Sequence, residues 1–97
     1  MDCIIFIGIQ ATGKSSFYQQ MFFHSHLRIN LDMLRTRHRE SILFEACLAA
    51  QQPMVIDNTN VTRDLRQRYI TPARDAQFRI RGFYFQSTIK AALIRIE

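Results

Sequence analysis

The chain has 97 residues, 47% of them apolar, with only 3 Gly and 2 Pro. Those proportions fit one small globular domain over residues 1–97 and exclude a disordered tail or a multidomain protein. Net charge is +5 and 11 of the 13 basic residues are Arg, which suits an anionic partner such as a phosphate, a nucleotide or nucleic acid, and equally suits a solvated basic surface.

Cys3 and Cys47 are too few for a disulfide framework and sit in apolar surroundings, so they read as buried free thiols. The opening MDCIIFIGIQ carries an acid at Asp2 and an apolar run only from Cys3 to Ile7. That is too short for a signal peptide or a membrane span, so the expected location is cytoplasmic, with no membrane partner.

Taken in chain order, Cys3 to Ile7 is a continuous β-branched and aromatic run, as in a strand buried on both faces. Gly8 to Gly13 reads as a loop and Lys14 to Phe23 as a helix. Leu27 to Asn30 reads as a short strand, followed by a polar helix from Asp32 and a second helical run over about Ser41 to Gln52 that Pro53 ends. Met54-Val55-Ile56 is a third strand. Thr62 is an N-cap candidate for a helix reaching about Ala76, with Asp64 in its first turn and Pro72 expected to kink or split it. Phe78 to Phe85 is a fourth strand, and Ser87 and Thr88 are expected to start a last helix. Strands alternating with helices imply an α/β fold, a three-layer α/β/α arrangement around a mainly parallel sheet. Phe22, Phe23, Met33, Phe83, Tyr84 and Phe85 are expected in the core, and Arg63, Arg66 and Arg74 on a solvated helix face. His24, His26 and His38 lack partners at the spacing of a zinc site.

The first strand runs into Gly8-Ile9-Gln10-Ala11-Thr12-Gly13-Lys14-Ser15, the G-x-x-x-x-G-K-[ST] pattern of a phosphate-binding loop. Two glycines let the backbone curl around a phosphate, and the curl turns successive N–H groups inward as an anion nest. The helix opening at Lys14 adds its positive end. Lys14 can then reach the β- and γ-phosphates and Ser15 can hold Mg²⁺, with Ser16 completing the nucleotide-binding set. The strand before and the helix after supply the context that the pattern requires.

Asp32 sits just past the end of the second strand, on the side where a parallel sheet opens its ligand crevice. A carboxylate there can take the proton of an attacking hydroxyl. Arg35 and Arg39 are spaced to share a helix face, and Arg35 is placed to clamp an acceptor phosphate beside Asp32. The third strand ends in Asp57-Asn58-Thr59-Asn60. Asp57 has the position of a carboxylate that supports magnesium, and Asn58, Thr59 and Asn60 are short polar residues on the crevice edge.

GIQATGKS at 8–15, INLDMLR at 29–35 and DNTN at 57–60, in that order, resemble the polynucleotide kinase family of P-loop kinases. GFYFQSTIKAALIR looks like that family's next elements, so the resemblance covers essentially the whole chain. It implies ATP as donor, Asp32 as general base on a 5′-hydroxyl, Arg35 on the phosphate flanking the acceptor nucleoside, and Asn58 and Thr59 at the acceptor and metal edge. Family members continue with an arginine-bearing lid and another strand. This chain ends about where the lid should start, so it is expected to be truncated, a poor catalyst, and prone to self-association through an exposed sheet edge. Three alternatives stay open: a small-molecule kinase, a nucleotide-binding module with little turnover, and a plain nucleic-acid binder whose affinity ignores Mg²⁺·ATP and falls steeply with salt.

Overall fold

In the computed structural model, which describes residues 1–8, 13–85 and the backbone of 91–94, the first apolar run forms the central strand. This strand, β1 (Asp2–Ile7), is buried from Cys3 onward. There follow α1 (Lys14–Met21), β2 (Leu27–Ile29), α2 (Leu31–Leu34), α3 (Arg37–Ala50), β3 (Met54–Asp57), α4 (Arg63–Asp75), β4 (Arg79–Phe85) and β5 (Ala91–Ile94). The sheet order is β2-β3-β1-β4-β5. β1 pairs in parallel with β3, Ile5 opposite Ile56, and with β4, Ile5 opposite Gly82; β2 pairs in parallel with β3.

Alternate residues of β1 feed two cores, as the period of a strand requires. Cys3, Ile5 and Ile7 join Ile29, Met54 and Ile56 under Phe44 and Cys47 of α3 and Tyr69, Ile70 and Ala73 of α4. Ile4 and Phe6 join Val55 and Phe85 under Tyr18 of α1 and the adjoining Phe22. The Phe6 ring lies 4.8 Å from that of Phe85 and 5.8 Å from that of Phe17, in tilted and edge-on contacts favoured by aromatic quadrupoles. Helices on both faces complete the three-layer α/β/α architecture with a mainly parallel sheet. Among the described residues no helix is long and apolar enough to cross a membrane.

Several expectations are corrected. The polar helix from Asp32 is a single turn and the second helical run starts at Arg37 rather than about Ser41: Asn30 caps α2, its side chain accepting from the Met33 N–H, and Thr36 caps α3, accepting from the Arg39 N–H. Arg35 lies between them with φ 79°, so Arg35 and Arg39 do not share a helix face. Two competing side-chain caps within seven residues outweigh the helical spacing of the arginines. Pro72 does not split α4, which runs through to Asp75 with Tyr69, Ile70 and Ala73 buried around the proline. Phe23 and Met33 are exposed, at 59% and 68%, because α1 ends before the first and the second lies on a one-turn helix with no buried residue. Tyr84 is also exposed.

The last helix is replaced over 91–94 by β5, antiparallel to β4 with Phe85 opposite Ala91. Its expected start at Ser87 and Thr88 lies outside the described residues. A short apolar run such as Ala91 to Ile94 suits either element, and pairing with the neighbouring strand decides it. β5 pairs along the outer side of β4, so β2 and β5 form the two margins of the sheet.

Candidate active site

The parallel pairing of β1 and β3 brings their C-terminal ends side by side, which is where an open α/β sheet presents its ligand crevice. Gly8 ends β1 at φ +148°, and a Cβ there would meet the Phe85 carbonyl oxygen at 2.6 Å, so this position accepts only glycine. Gly13, at φ 87°, is the N-cap of α1 and offers no side-chain cap. The first N–H groups of α1 therefore face the crevice without a capping side chain, as an anion site needs. Ile9, Gln10, Ala11 and Thr12, read as cofactor-binding, lie outside the described residues.

The crevice is a cleft of about 490 Å³ lined from α1 by Lys14, Ser15 and Ser16, from the β3 end by Asp57, Asn58, Thr59 and Asn60, and from α2 by Leu31 and Asp32. Lys14 is buried, and its Nζ donates to the Gly8 carbonyl at 2.8 Å and the Asn58 carbonyl at 3.2 Å. Burial lowers the lysine's pKa, while the charges of Asp57, 3.6 Å away, and Asp32 act to raise it. Asp57 is 1% exposed. Its Oδ2 accepts from Arg28 Nε at 2.7 Å and pairs with Nη2 at 2.6 Å, while Oδ1 has no hydrogen-bond partner. Arg28 Nη2 also donates to Ser15 Oγ at 2.9 Å.

Ser15 Oγ and the Asp57 carboxylate thus form a pair of hard oxygen donors, and Asp57 Oδ1, ion-paired with Lys14, has no hydrogen-bond partner. Magnesium takes one or two such protein ligands and completes its shell with phosphate and water, so the donor set fits Mg²⁺. Among the described residues no three His, Cys, Asp or Glu gather as an all-protein cage would need.

Asp32 stands in the first turn of α2, exposed and on the cleft wall. Arg35, the C-cap of α2, is exposed and does not line the cleft; Arg37 does. Arg39 donates to the Leu34 carbonyl at 3.3 Å. Asn58 fastens the wall to the floor: its Oδ1 accepts from the Leu31 N–H at 2.8 Å and its Nδ2 donates to Glu40 Oε2 at 2.7 Å. Asn30 adds a second tie, Nδ2 to the Asp57 carbonyl at 2.8 Å. Thr59 accepts the Gly8 N–H on its carbonyl at 2.9 Å. Asn60, buried at φ 49°, turns its amide to the Phe6 carbonyl at 2.9 Å, so it joins the two strand ends.

Sequence reading missed three residues of this arrangement. Arg28 is a cation inside a short strand whose flanking residues are apolar, a departure from pattern that marks it in retrospect. Glu40, 2% exposed, accepts from Arg37 Nη1 at 3.0 Å and from the Tyr69 hydroxyl at 2.9 Å. No spacing announces that network, because its members come from α3, α4 and the β3 end. Burial and the Glu40 charge push the Tyr69 hydroxyl's pKa up.

The sequence profile of the AAA domain family matches residues 41–96. A bifunctional polynucleotide phosphatase/kinase of Schizosaccharomyces pombe is 28% identical over 92 residues, 94% of this chain and 22% of the relative. The chain therefore spans about a fifth of the length of that relative. Among solved structures, an APS kinase of Mycobacterium tuberculosis matches with a TM-score of 0.60 at 12% identity, over 94% of this chain and 79% of the other, a likeness of fold. With the profile spanning more than half of its residues, the chain belongs to the AAA domain family.

Proposed function

We propose that this chain is the nucleotide-binding core of an ATP-dependent kinase that transfers the γ-phosphate to a hydroxyl, with a polynucleotide 5′-hydroxyl as the acceptor. The observation that carries the reading is the convergence of Lys14, Ser15 and Asp57 at one end of the sheet, with Asp32 on the opposite wall of the same cleft. In this reading Lys14 exchanges the Gly8 and Asn58 carbonyls for phosphate oxygens of the nucleotide. The N-terminal N–H groups of α1 hold the phosphates, and Ser15 and Asp57 hold Mg²⁺. The ion, when bound, neutralises the charge on the phosphate oxygens. Asp32 accepts the proton of the attacking hydroxyl, and Asn58 keeps the start of α2 in register with the β3 end while it does so. Asn58, Thr59 and Asn60 form the acceptor-side edge, and Arg35, exposed at the end of α2 and off the cleft wall, would take the acceptor's flanking phosphate outside the cleft.

The polynucleotide acceptor is supported by the relative's name and by the order of the three motifs; the basic surface suits it. The test is calorimetric titration of Mg²⁺·ATP into the wild type and Lys14→Ala, followed by transfer of labelled phosphate to a 5′-hydroxyl oligonucleotide and to a free nucleoside. Binding lost in Lys14→Ala, with transfer to the oligonucleotide, is the expected result. Transfer to the nucleoside alone would replace the acceptor with a small molecule. Equal binding by both proteins, or none, would overturn the phosphate-site assignment.

A further inference from the structure

The side chain of Arg28 occupies the place that the kinase reading gives to the metal. Arg28 lies in the middle of β2, yet its guanidinium reaches across the β3 end to the start of α1. One nitrogen, Nη2, lies 2.6 Å from Asp57 Oδ2 and 2.9 Å from Ser15 Oγ. It bridges the two side chains that would hold Mg²⁺. An ion bonded to oxygen at about 2.0–2.1 Å has no room beside a nitrogen already in contact with both groups. The two are alternatives at one position. The guanidinium is held there from behind by the ring of Tyr18, whose centroid is 5.6 Å from its carbon.

We infer that Arg28 is an internal counter-cation of the metal position, which pairs the buried Asp57 while the site holds no nucleotide and yields to Mg²⁺ only when phosphates arrive with it. The inference rests on the kinase reading of this cleft. Charge gives the order of events. Immediately around Asp57, Lys14 and Arg28 place two positive charges against one carboxylate, an excess that the exposed Asp32 on the cleft wall offsets only in part. A bare divalent cation would add to that excess. A nucleotide polyphosphate reverses it and offers the guanidinium new oxygens to bond as it leaves Asp57. Arginine suits the task where lysine does not, because Nε and Nη2 together hold Asp57 Oδ2 while Nη2 also reaches Ser15 Oγ. Without such a cation Asp57, 1% exposed, would face burial with only the longer contact to Lys14 at 3.6 Å.

The experiment compares the wild type, Arg28→Gln and Arg28→Lys by electron paramagnetic titration with Mn²⁺, a spectroscopic probe of magnesium sites, without nucleotide and with ADP. Without nucleotide the wild type should bind Mn²⁺ weakly. Arg28→Gln should bind it at least about tenfold more tightly, because one full positive charge next to the ion has gone. Arg28→Lys, which keeps a charge but loses the fork, should fall between them and carries the comparison if Arg28→Gln does not fold. With ADP present the three affinities should converge. Equal Mn²⁺ affinity in the wild type and the variants without nucleotide would overturn the role of Arg28. If the wild type still binds ADP and Lys14→Ala does not, the phosphate-site reading survives that result. If no protein binds ADP, both fall.

Discussion

Glu40→Ala tests how the cleft wall is held. Glu40 is 2% exposed and its two oxygens take the Tyr69 hydroxyl, the Asn58 amide and the Arg37 guanidinium. Removing the carboxylate affects these donors differently. Arg37 is 46% exposed and regains water, so its loss is small. Tyr69 is buried, and Asn58 is partly so; each donor left without an acceptor costs about 1–3 kcal/mol. The Asn58 amide and the Tyr69 hydroxyl are 3.2 Å apart and can satisfy each other in part. The net loss is then about 2–4 kcal/mol, a large share of the roughly 5–15 kcal/mol that holds a small domain together. Urea unfolding followed by far-ultraviolet circular dichroism reads it, as a lower midpoint at unchanged slope. Tyr69→Phe should lose less. The double variant should lose less than the sum of the two, since both break the same bonds. A loss under about 1 kcal/mol for Glu40→Ala, or strict additivity with Tyr69→Phe, would refute the account of a connected buried network.

Two further outcomes follow from the fold. Gly8→Ala forces a Cβ to within 2.6 Å of the Phe85 carbonyl at a positive φ, so β1 and β4 must part at the cleft; thermal unfolding should start several degrees lower, and an unchanged midpoint would contradict the close approach. Alkaline pH should destabilise the chain. Burial pushes the Cys3 thiol up to about 12 and also raises Cys47, Tyr18 and Tyr69. Above about pH 9 the unfolded chain gives up protons that the folded chain keeps, so stability falls as pH rises, at about 1.4 kcal/mol per pH unit for one group between its two pKa values. Lys14, with its lowered pKa, contributes with the opposite sign but is a single group. Urea midpoints that stay level between about pH 8 and pH 10.5 would count against the burial of these groups.

Where the chain announces its structure, a local signal and the tertiary environment agree. Cys3 to Ile7 is apolar at every position because both faces of β1 are covered, and Gly8 and Gly13 are legible because each stands at a positive φ that favours glycine. Asp57 could be placed because a strand end in a parallel sheet has a known neighbourhood. The break at Arg35 was hidden because two helices with adjacent caps look like one polar helix. Ala91 to Ile94 was misread because a short apolar run takes its conformation from its neighbour, here the edge of β4. Glu40, Tyr69 and Arg28 were invisible for a related reason: a buried polar side chain is defined by its partners, and those lie up to 32 residues away, as Arg37 and Tyr69 do. A charged residue on a helix reads as solvated until something is known to cover it.

Helix α2 carries Asp32 yet has no fully buried residue, and it is joined to the body by the amides of Asn30 and Asn58 and the packing of Leu34. The donor side differs: Lys14 and Tyr18 of α1 are packed into the molecule, and Gly8 cannot change without opening the sheet. Variation therefore meets unequal resistance on the two sides of the cleft. Substitutions at Leu31, Asp32, Met33 and Arg35 disturb little packing, so on the proposed kinase reading a lineage can try new acceptors there while keeping its nucleotide. On that reading the same scaffold can diversify in what it modifies long before it can change what it spends.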